Sequence, residues 1–512
     1  MALVLAGQIV PLTEQDPNAV FAGRVWLGDD GTIDAVTKGN ATGPAGFDDA
    51  PTVDVGDALV LPGLIDLHNH LGYNTLPLWS EPSQATPFRH HNSWPNAPTY
   101  TETVTWPAWV YANAEPEALV AYVQTRALVG GTTAIQGWPG ASREVNAVMR
   151  NIDSEKVGTT DPNLIYTSVV TKTPLELGEM AQAIGHDVGF IYHCAEGQPG
   201  SVVESEFVDA ANAGCLRRTF IAIHCNALAP ADWTRWSQNQ GGAVVWSPFS
   251  NLWLYGVTAD ITAARARDVS ICLGSDWGPS GTKHVLGEMK VAKIVSGTNH
   301  LGLSDKDVVA MATTNPGDVL ARCWSRPIGR LVPGGFADVT VLRAGGAGDM
   351  WSQIVAATER DVKLVVVGGR PRYGDAAVMT AAGVEASSAL TIGGTRRKLV
   401  LPQPDDPTKA WSWTDIHRRL ETVRKDPKAA LANARKRRGG VAGALDDEEA
   451  PLELVLDMPG GGPLAFAGPP PDPAAVKIAP LPTLVHDPAF FKAIHGHGFH
   501  SGVLDGLKAF YQ

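Results

Sequence analysis

The chain has 512 residues, 44% of them apolar and 18% charged. That balance excludes a disordered or fibrous protein, and the length calls for roughly two to four packed units. Its 41 basic and 53 acidic side chains leave a formal charge of -12, which repels phosphate backbones and anionic lipid and excludes nucleic acid and membrane surfaces as the expected partners. The one basic cluster, Arg435 to Arg438, is soon followed by the acidic run Asp446 to Glu449, a self-compensating solvated pattern. The opening MALVLAGQIVPLTEQ has no basic leader, and no stretch reaches the roughly 18 apolar residues of a membrane span. The cysteines are odd in number, and Cys194, Cys225 and Cys272 sit in apolar runs as small hydrophobes, so a soluble protein of a reducing cytoplasm is expected.

Residues 1–58 alternate short β-type runs with turn signals: ALVLAGQIV, then VFAGRVWLGDDGTIDAV with its Asp29-Asp30-Gly31 hairpin signal, then PTVDVGDALVLPG, which continues into the next unit. From 59 to 324, short apolar runs alternate with helical stretches, as parallel strands covered by helices require. The runs are VLPGLIDLH, GTTAIQGW, NLIYTSVV, VGFIYHC, TFIAIHC, GAVVWSP and VSICLGSD. They predict an α/β fold of the (β/α)8 TIM-barrel type, one strand short of eight. The missing unit falls between Trp138 and Asn163, where only SREVNAVMRNI reads as an element, a helix, so a cryptic strand or an irregular barrel is expected there. Residues 325–395 return to β-type runs that can complete a composite β-sandwich with the first 58. From 396 to 512 the pattern dissolves into Pro, Gly and charge, apart from one helix over WTDIHRRLETVRKDPKAALANARKR, and the Pro-rich stretch Pro459 to Pro482 is expected to run extended over a surface.

In Ile65-Asp66-Leu67-His68-Asn69-His70 the histidines are two apart, and residues i and i+2 of a strand point the same way, so both imidazoles can meet one ion. Such a pair also arises by chance at ordinary polar strand ends. Three more polar residues close later runs, however: His193 after VGFIY, His224 after TFIAI and Asp276 after VSICLGS. Catalytic residues of a barrel come from the C-terminal ends of several strands. Three neutral imidazoles and one carboxylate suit zinc, iron or manganese, with a position left open for water. Glu196 lies three residues past His193, where it can reach the same cavity to carry protons or serve as a surface ion-pair partner.

Leu61-Pro62-Gly63-Leu64-Ile65-Asp66-Leu67-His68-Asn69-His70, His193-Cys194-Ala195-Glu196, Ile223-His224-Cys225 and Leu273-Gly274-Ser275-Asp276 together resemble the amidohydrolase superfamily, and within it the cytosine/guanine deaminase and triazine hydrolase branch. Thr314-Asn315-Pro316, then Gly329 to Gly334 leading into Ala337-Asp338-Val339, look like that family's return to its second domain. The resemblance covers roughly residues 1 to 375. It implies one divalent ion per chain, zinc before iron(II) or manganese(II), held by His68, His70, His193 and Asp276. It further implies Glu196 as proton shuttle, His224 as the group that orients or polarises substrate, and Asp276 as acceptor of the first proton. Trp246-Ser247-Pro248-Phe249-Ser250-Asn251 is similar to the loop after the seventh strand, or forms a plain turn. The implied reaction is hydrolysis of a carbon–nitrogen bond, deamination of a small nitrogenous compound, heterocyclic ones included, foremost.

A second reading is a two-metal amide, lactam, urea or carbamate hydrolase using a carboxylated Lys172 at the end of NLIYTSVVTK, and a third is a non-catalytic relative that binds without turnover. No H-x-E with P-C-x-x-C, no G-x-S-x-G elbow and no G-x-x-x-x-G-K-[ST] loop occurs. After the first strand, Tyr73, Trp79, Phe88, His90, His91, Trp94, Tyr100, Trp106 and Trp109 crowd what should be the first loop over the mouth. Trp79 and Trp94 are candidate contacts for a planar small-molecule substrate, the alternative being that the rings only pack the loop. Lys283, in the loop after Asp276, reads as a solvated lysine. The tail His495-Gly496-His497-Gly498-Phe499-His500 can bind metal by composition or cap the fold, and its aromatic end Phe510-Tyr511 is suited to docking on the barrel or on a second subunit of a homo-oligomer.

Overall fold

The alternating runs at the two ends of the chain pair with each other. The computed structural model describes residues 2–141, 148–153, 165–168, 171–184, 187–239, 241–345, 348–404, 406, 408–439, 452, 454–456 and 472–512. In it Leu3–Ile9, Phe21–Leu27, Ile33–Lys38 and Thr52–Pro62 share one nine-stranded sheet with Val339–Leu342, Val362–Val367, Arg370–Asp375, Ser388–Ile392 and Thr395–Leu399. Thr52–Pro62 is the seam, parallel to Leu3–Ile9 and antiparallel to Val339–Leu342. Leu5, Ile9, Val25, Val60, Val339 and Val366 bury together against it.

The same strand turns at Gly63 into the barrel. A side chain there would run into Thr133, so glycine alone permits the approach, and the Gly63 N–H donates to the Asp338 carbonyl at 2.9 Å. Eight strands follow: Leu64–Asp66, Thr132–Ile135, Arg150–Asn151, Ile165–Ser168, Gly189–Cys194, Phe220–His224, Ala243–Trp246 and Ser270–Leu273. The first three form one parallel arc and the last five another. The arcs meet where the Leu67 N–H donates to the Leu273 carbonyl at 3.3 Å and Asn69 bridges Asp276 in parallel, and again where Thr167 Oγ1 donates to Asp153 at 2.8 Å. Ile65, Ile165, Ile191, Ile221, Val245 and Cys272 fill the axis.

The expected α/β class with a (β/α)8 barrel and a composite β domain therefore holds. The strand absent from the sequence pattern is the third, Arg150–Asn151, too short to produce an apolar run. SREVNAVMRNI ends in that strand rather than in a helix, and its residues 142–147 lie outside the described residues.

Arg150 ties the barrel to the sheet. Its guanidinium donates from Nε and Nη2 to the two oxygens of Asp338 at 2.8 and 3.0 Å and lies 3.8 Å above the Phe336 ring centroid. Arg150→Met keeps the stem but leaves a buried carboxylate without its cation, a loss of about 3–5 kcal/mol. A clearly lowered midpoint in thermal and urea melts of the full chain is expected, and an unchanged midpoint would refute the pair's role.

The stretch WTDIHRRLETVRKDPKAALANARKR, predicted as one helix, forms two, Trp413–Lys425 and Pro427–Gly439, and Pro488–Gly496 adds a further helix near the end of the chain. Pro427 has no N–H to donate and disfavours helical backbone at Asp426, so the helix stops and restarts. Residues 459–471 of the Pro-rich stretch and the acidic run Asp446 to Glu449 lie outside the described residues. The tail docks on the barrel. The His497 ring stacks on Trp253 with centroids 3.8 Å apart, and the Lys290 ammonium lies 5.8 Å from the Phe510 centroid. His495, His497 and His500 form no metal-ligating group among the described residues. The five cysteines are buried free thiols, and no helix among the described residues is long and apolar enough to cross a membrane.

Candidate metal centre

The strand ends converge as the sequence requires. His68 and His70 lie just past Leu64–Asp66, His193 closes the fifth barrel strand, His224 closes the sixth, and Asp276 follows the eighth. Asp276 Oδ1 stands 3.2 Å from His68 Nε2 and 3.7 Å from His70 Nε2. The His68 ring centroid is 4.9 Å from His70, 4.8 Å from His193 and 5.0 Å from His224. Two overlapping sets, His68 with His70 and Asp276 and His68 with His193 and His224, each bring their ligand atoms within 4.8 Å of one another. All of these residues are buried.

Alternation does not explain all of this. Ile223 points into the barrel, so His224 would face outward on a regular strand. Left-handed backbone at His224 (φ 68°) and Cys225 (φ 56°) turns the ring back onto the mouth, and Ala195 (φ 52°) and Asp276 (φ 58°) are turned the same way. Each such non-glycine residue costs on the order of 1–3 kcal/mol, and the strain is concentrated where side chains must be aimed. Gly274 completes the closure, because a Cβ there would collide with His68.

A layer of polar groups orients these imidazoles, none of it read from the sequence. Gln136 Oε1 faces His68 Nδ1 at 3.4 Å, the Ser168 carbonyl faces His193 Nδ1 at 3.2 Å, and Asn251 Oδ1 faces His224 Nδ1 at 2.9 Å. Each partner is an acceptor, so each imidazole carries its proton on Nδ1 and presents a bare Nε2. Beneath them Asp66, pushed up to about 7 by burial, takes the Ser275 N–H at 2.9 Å and the Ser275 hydroxyl, clamping the first strand to the eighth. The sequence signal was an acid inside an apolar run.

The electrostatics fit a cation. His68 Nε2 and His193 Nε2 are buried with no hydrogen-bond partner. Burial and the neighbouring imidazoles hold His193 well below its ordinary value, and burial with His68 beside it lowers His224 to about 3, so both are neutral donors. Burial alone would raise Asp276, but the imidazoles of His68, His224 and His70 outweigh it and keep the carboxylate ionised. Orphaned nitrogens facing an ionised carboxylate are the donor set of a divalent ion.

Glu196 is buried beside them, its Oε1 3.5 Å from His224 Nε2 and 2.6 Å from the Tyr255 hydroxyl. Burial pushes it up to about 7, against the pull of nearby His91. It is not a surface ion-pair partner. The His91 N–H donates to the Glu196 carbonyl at 3.0 Å, and the His91 ring meets Glu206 at 2.8 Å.

Of the two tryptophans singled out, Trp94 donates its indole N–H to the Tyr255 hydroxyl at 2.9 Å and packs 5.4 Å from Trp277, whose ring lies 6.3 Å from His70. Trp79 sits further out, stacked on Phe88 at 5.9 Å and edge-on to Tyr100 at 5.4 Å. Trp277 and Tyr255 were missed, Trp277 although it directly follows Asp276. The helix Pro248–Tyr255, which carries Asn251 and Tyr255, occupies the segment read as the loop after the seventh strand. Lys283 is no solvated lysine: it is buried, donating to the Thr483 and Val485 carbonyls at 2.6 and 2.9 Å and pairing with Asp487 at 3.3 Å. Lys172 is partly exposed beyond the fourth strand.

The amidohydrolase family profile matches residues 176–372, which include His193, Glu196, His224 and Asp276. Over that stretch the chain is similar to the amidohydrolase family. A 5'-deoxyadenosine deaminase of Methanothrix thermoacetophila is 24% identical over 298 residues, 51% of this chain and 70% of that protein. A zinc-bound adenosine deaminase of Xanthomonas campestris superposes with TM-score 0.54 at 18% identity, over 74% of this chain and 97% of its own. A triazine hydrolase of Arthrobacter aurescens superposes with TM-score 0.56 at 16% identity, over 72% and 94%. The expectation of a hydrolase acting on non-peptide carbon–nitrogen bonds holds.

Proposed function

We propose that this protein deaminates a small nitrogenous compound, using one divalent ion held by His68, His70, His193 and Asp276. The observation that carries the reading is the pair of buried, partnerless Nε2 atoms beside the ionised Asp276, with Glu196 next to them. Zinc is the ion the N3O donor set favours, and the adenosine deaminase it resembles holds zinc. When bound, such an ion makes hydroxide available near neutral pH and polarises an electrophilic carbon.

The chain's own groups do the rest. His224, neutral and fixed by Asn251, orients the group under attack. Asp276 takes the first proton of the attacking water, and Glu196 carries a proton to the departing nitrogen, which leaves as ammonia or an amine. The relatives named as deaminases support this direction. The ring wall of Trp94 and Trp277 beside His70 supports a planar substrate of heterocyclic type.

Metal quantification combined with an ammonia-release screen over aminated heterocycles, ureas and cyclic amides tests the reading. About one ion per chain and ammonia from an aminated heterocycle are expected, and full activity of a chelated, metal-free enzyme would end it. Lys172→Ala is expected to leave turnover and metal content unchanged. Two ions per chain together with an inactive Lys172→Ala would establish the carboxylated-lysine hydrolase instead.

A further inference from the structure

Between Glu196 and the first loop runs a chain of two hydrogen bonds whose direction chemistry decides. Trp94 Nε1 lies 2.9 Å from the Tyr255 hydroxyl, and that hydroxyl lies 2.6 Å from Glu196 Oε1. An indole N–H can only donate, so the phenol oxygen is the acceptor of that bond. The phenol has one proton, and it must go to Glu196 Oε1. The reverse arrangement, a protonated Oε1 donating to the phenol, would leave the phenol proton with no acceptor in a buried site.

All three side chains are buried. Trp94 is wedged 5.2 Å from Tyr100 and 5.4 Å from Trp277, and the Tyr255 carbonyl accepts from Gln198 Nε2 at 3.0 Å, so neither donor is free to swing away. Of the two Glu196 oxygens, Oε1 is the one the Tyr255 hydroxyl engages.

We propose that Trp94 and Tyr255 are positioning residues that act through Glu196, holding Oε1 as a permanent acceptor so that Oε2 is the oxygen that takes the proton and returns it. The inference rests on the reading of Glu196 as proton carrier. The proton balance closes: the first water proton passes by way of Asp276 to the substrate as the water oxygen bonds to carbon, and Oε2 takes the second from the new hydroxyl and gives it to the departing nitrogen as the carbon–nitrogen bond breaks, while the Tyr255 proton never leaves its oxygen. Trp94 belongs to the first loop and Tyr255 to the helix after the seventh strand, so Oε2 is aimed only when these two segments are seated together.

The test uses the metal-loaded full chain, with guanine, adenosine and an aminotriazine as probe substrates and ammonia as readout. Tyr255→Phe is expected to lower kcat about 10- to 100-fold, with KM within about threefold and metal content unchanged, the loss of one hydrogen bond to a charged group. Trp94→Phe should lower kcat in the same sense by less. In a Glu196→Gln background, Tyr255→Phe should cause no further loss, which a merely structural role would not reproduce. Independently of turnover, the Trp94 indole N–H resonance, assigned by its disappearance in Trp94→Phe, should shift in both Tyr255→Phe and Glu196→Gln. If Glu196→Gln is as active as the parent, the reading of Glu196 falls. If Glu196→Gln is inactive but Tyr255→Phe keeps full kcat, adds its loss to that of Glu196→Gln, or leaves the Trp94 resonance in place, the positioning inference alone is overturned.

Discussion

Replacing His193 or Asp276 with alanine is expected to abolish metal retention and turnover together. Each contributes to a cage in which every donor is already committed. His193 is oriented by the Ser168 carbonyl and is neutral, so its Nε2 has no other use in a buried site. Asp276 supplies a negative charge facing His68 and His70, and without it a divalent cation would sit in a more neutral cage, a placement several kcal/mol less favourable. The check is metal content after gel filtration, with ammonia release measured on the same sample. A variant that kept its full complement of metal would remove that residue from the ligand set. The fold itself should survive in His193→Ala, since the barrel axis is filled by aliphatic residues below the mouth.

Glu196→Gln should behave differently: metal stays and turnover falls by roughly 10²- to 10⁴-fold, the range for losing a positioned acid–base group. The parent's pH profile carries the same signature. Burial raises the Glu196 carboxyl to about 7 from an ordinary 4.5, and the ionised form is the one that accepts a proton. As pH falls through the folded value the carboxylate becomes protonated and kcat/KM drops. A bound cation nearby stabilises the carboxylate and draws its value down, so the acidic limb is expected between 4.5 and 7. Glu196→Gln should erase that limb. A Gln variant with an unchanged acidic limb would assign it to another group.

The convergence of the candidate ligand residues was legible because each is chained to a strand end by short-range rules. His68 and His70 share a face by their spacing, and His193 and Asp276 close apolar runs that can only be buried strands. Glu196 was legible as a candidate but not in its state, since its burial depends on the first loop and on the helix Pro248–Tyr255. Trp94 was named for substrate, and the structure also ties its indole N–H to Tyr255, a contact across 161 positions that no local pattern encodes. Gln136, Asn251 and Ser168 escaped for the same reason. An amide or a carbonyl becomes an orienting group only when a ring from another strand lies beside it.

The sequence by itself determined that parallel strands would bring four histidines and a carboxylate to one mouth, because hydrophobic periodicity and strand-end position are local properties that burial must obey. Only the tertiary structure decided the rest. The strand Arg150–Asn151 is too short for periodicity and exists because its neighbours pair with it. Lys283, solvated on any local reading, is buried because the C-terminal segment brings the Thr483 and Val485 carbonyls and Asp487 to it. His224 faces the metal side because two left-handed residues override strand alternation. In each case the deciding free energy comes from partners far apart in the chain, which the order of residues does not display.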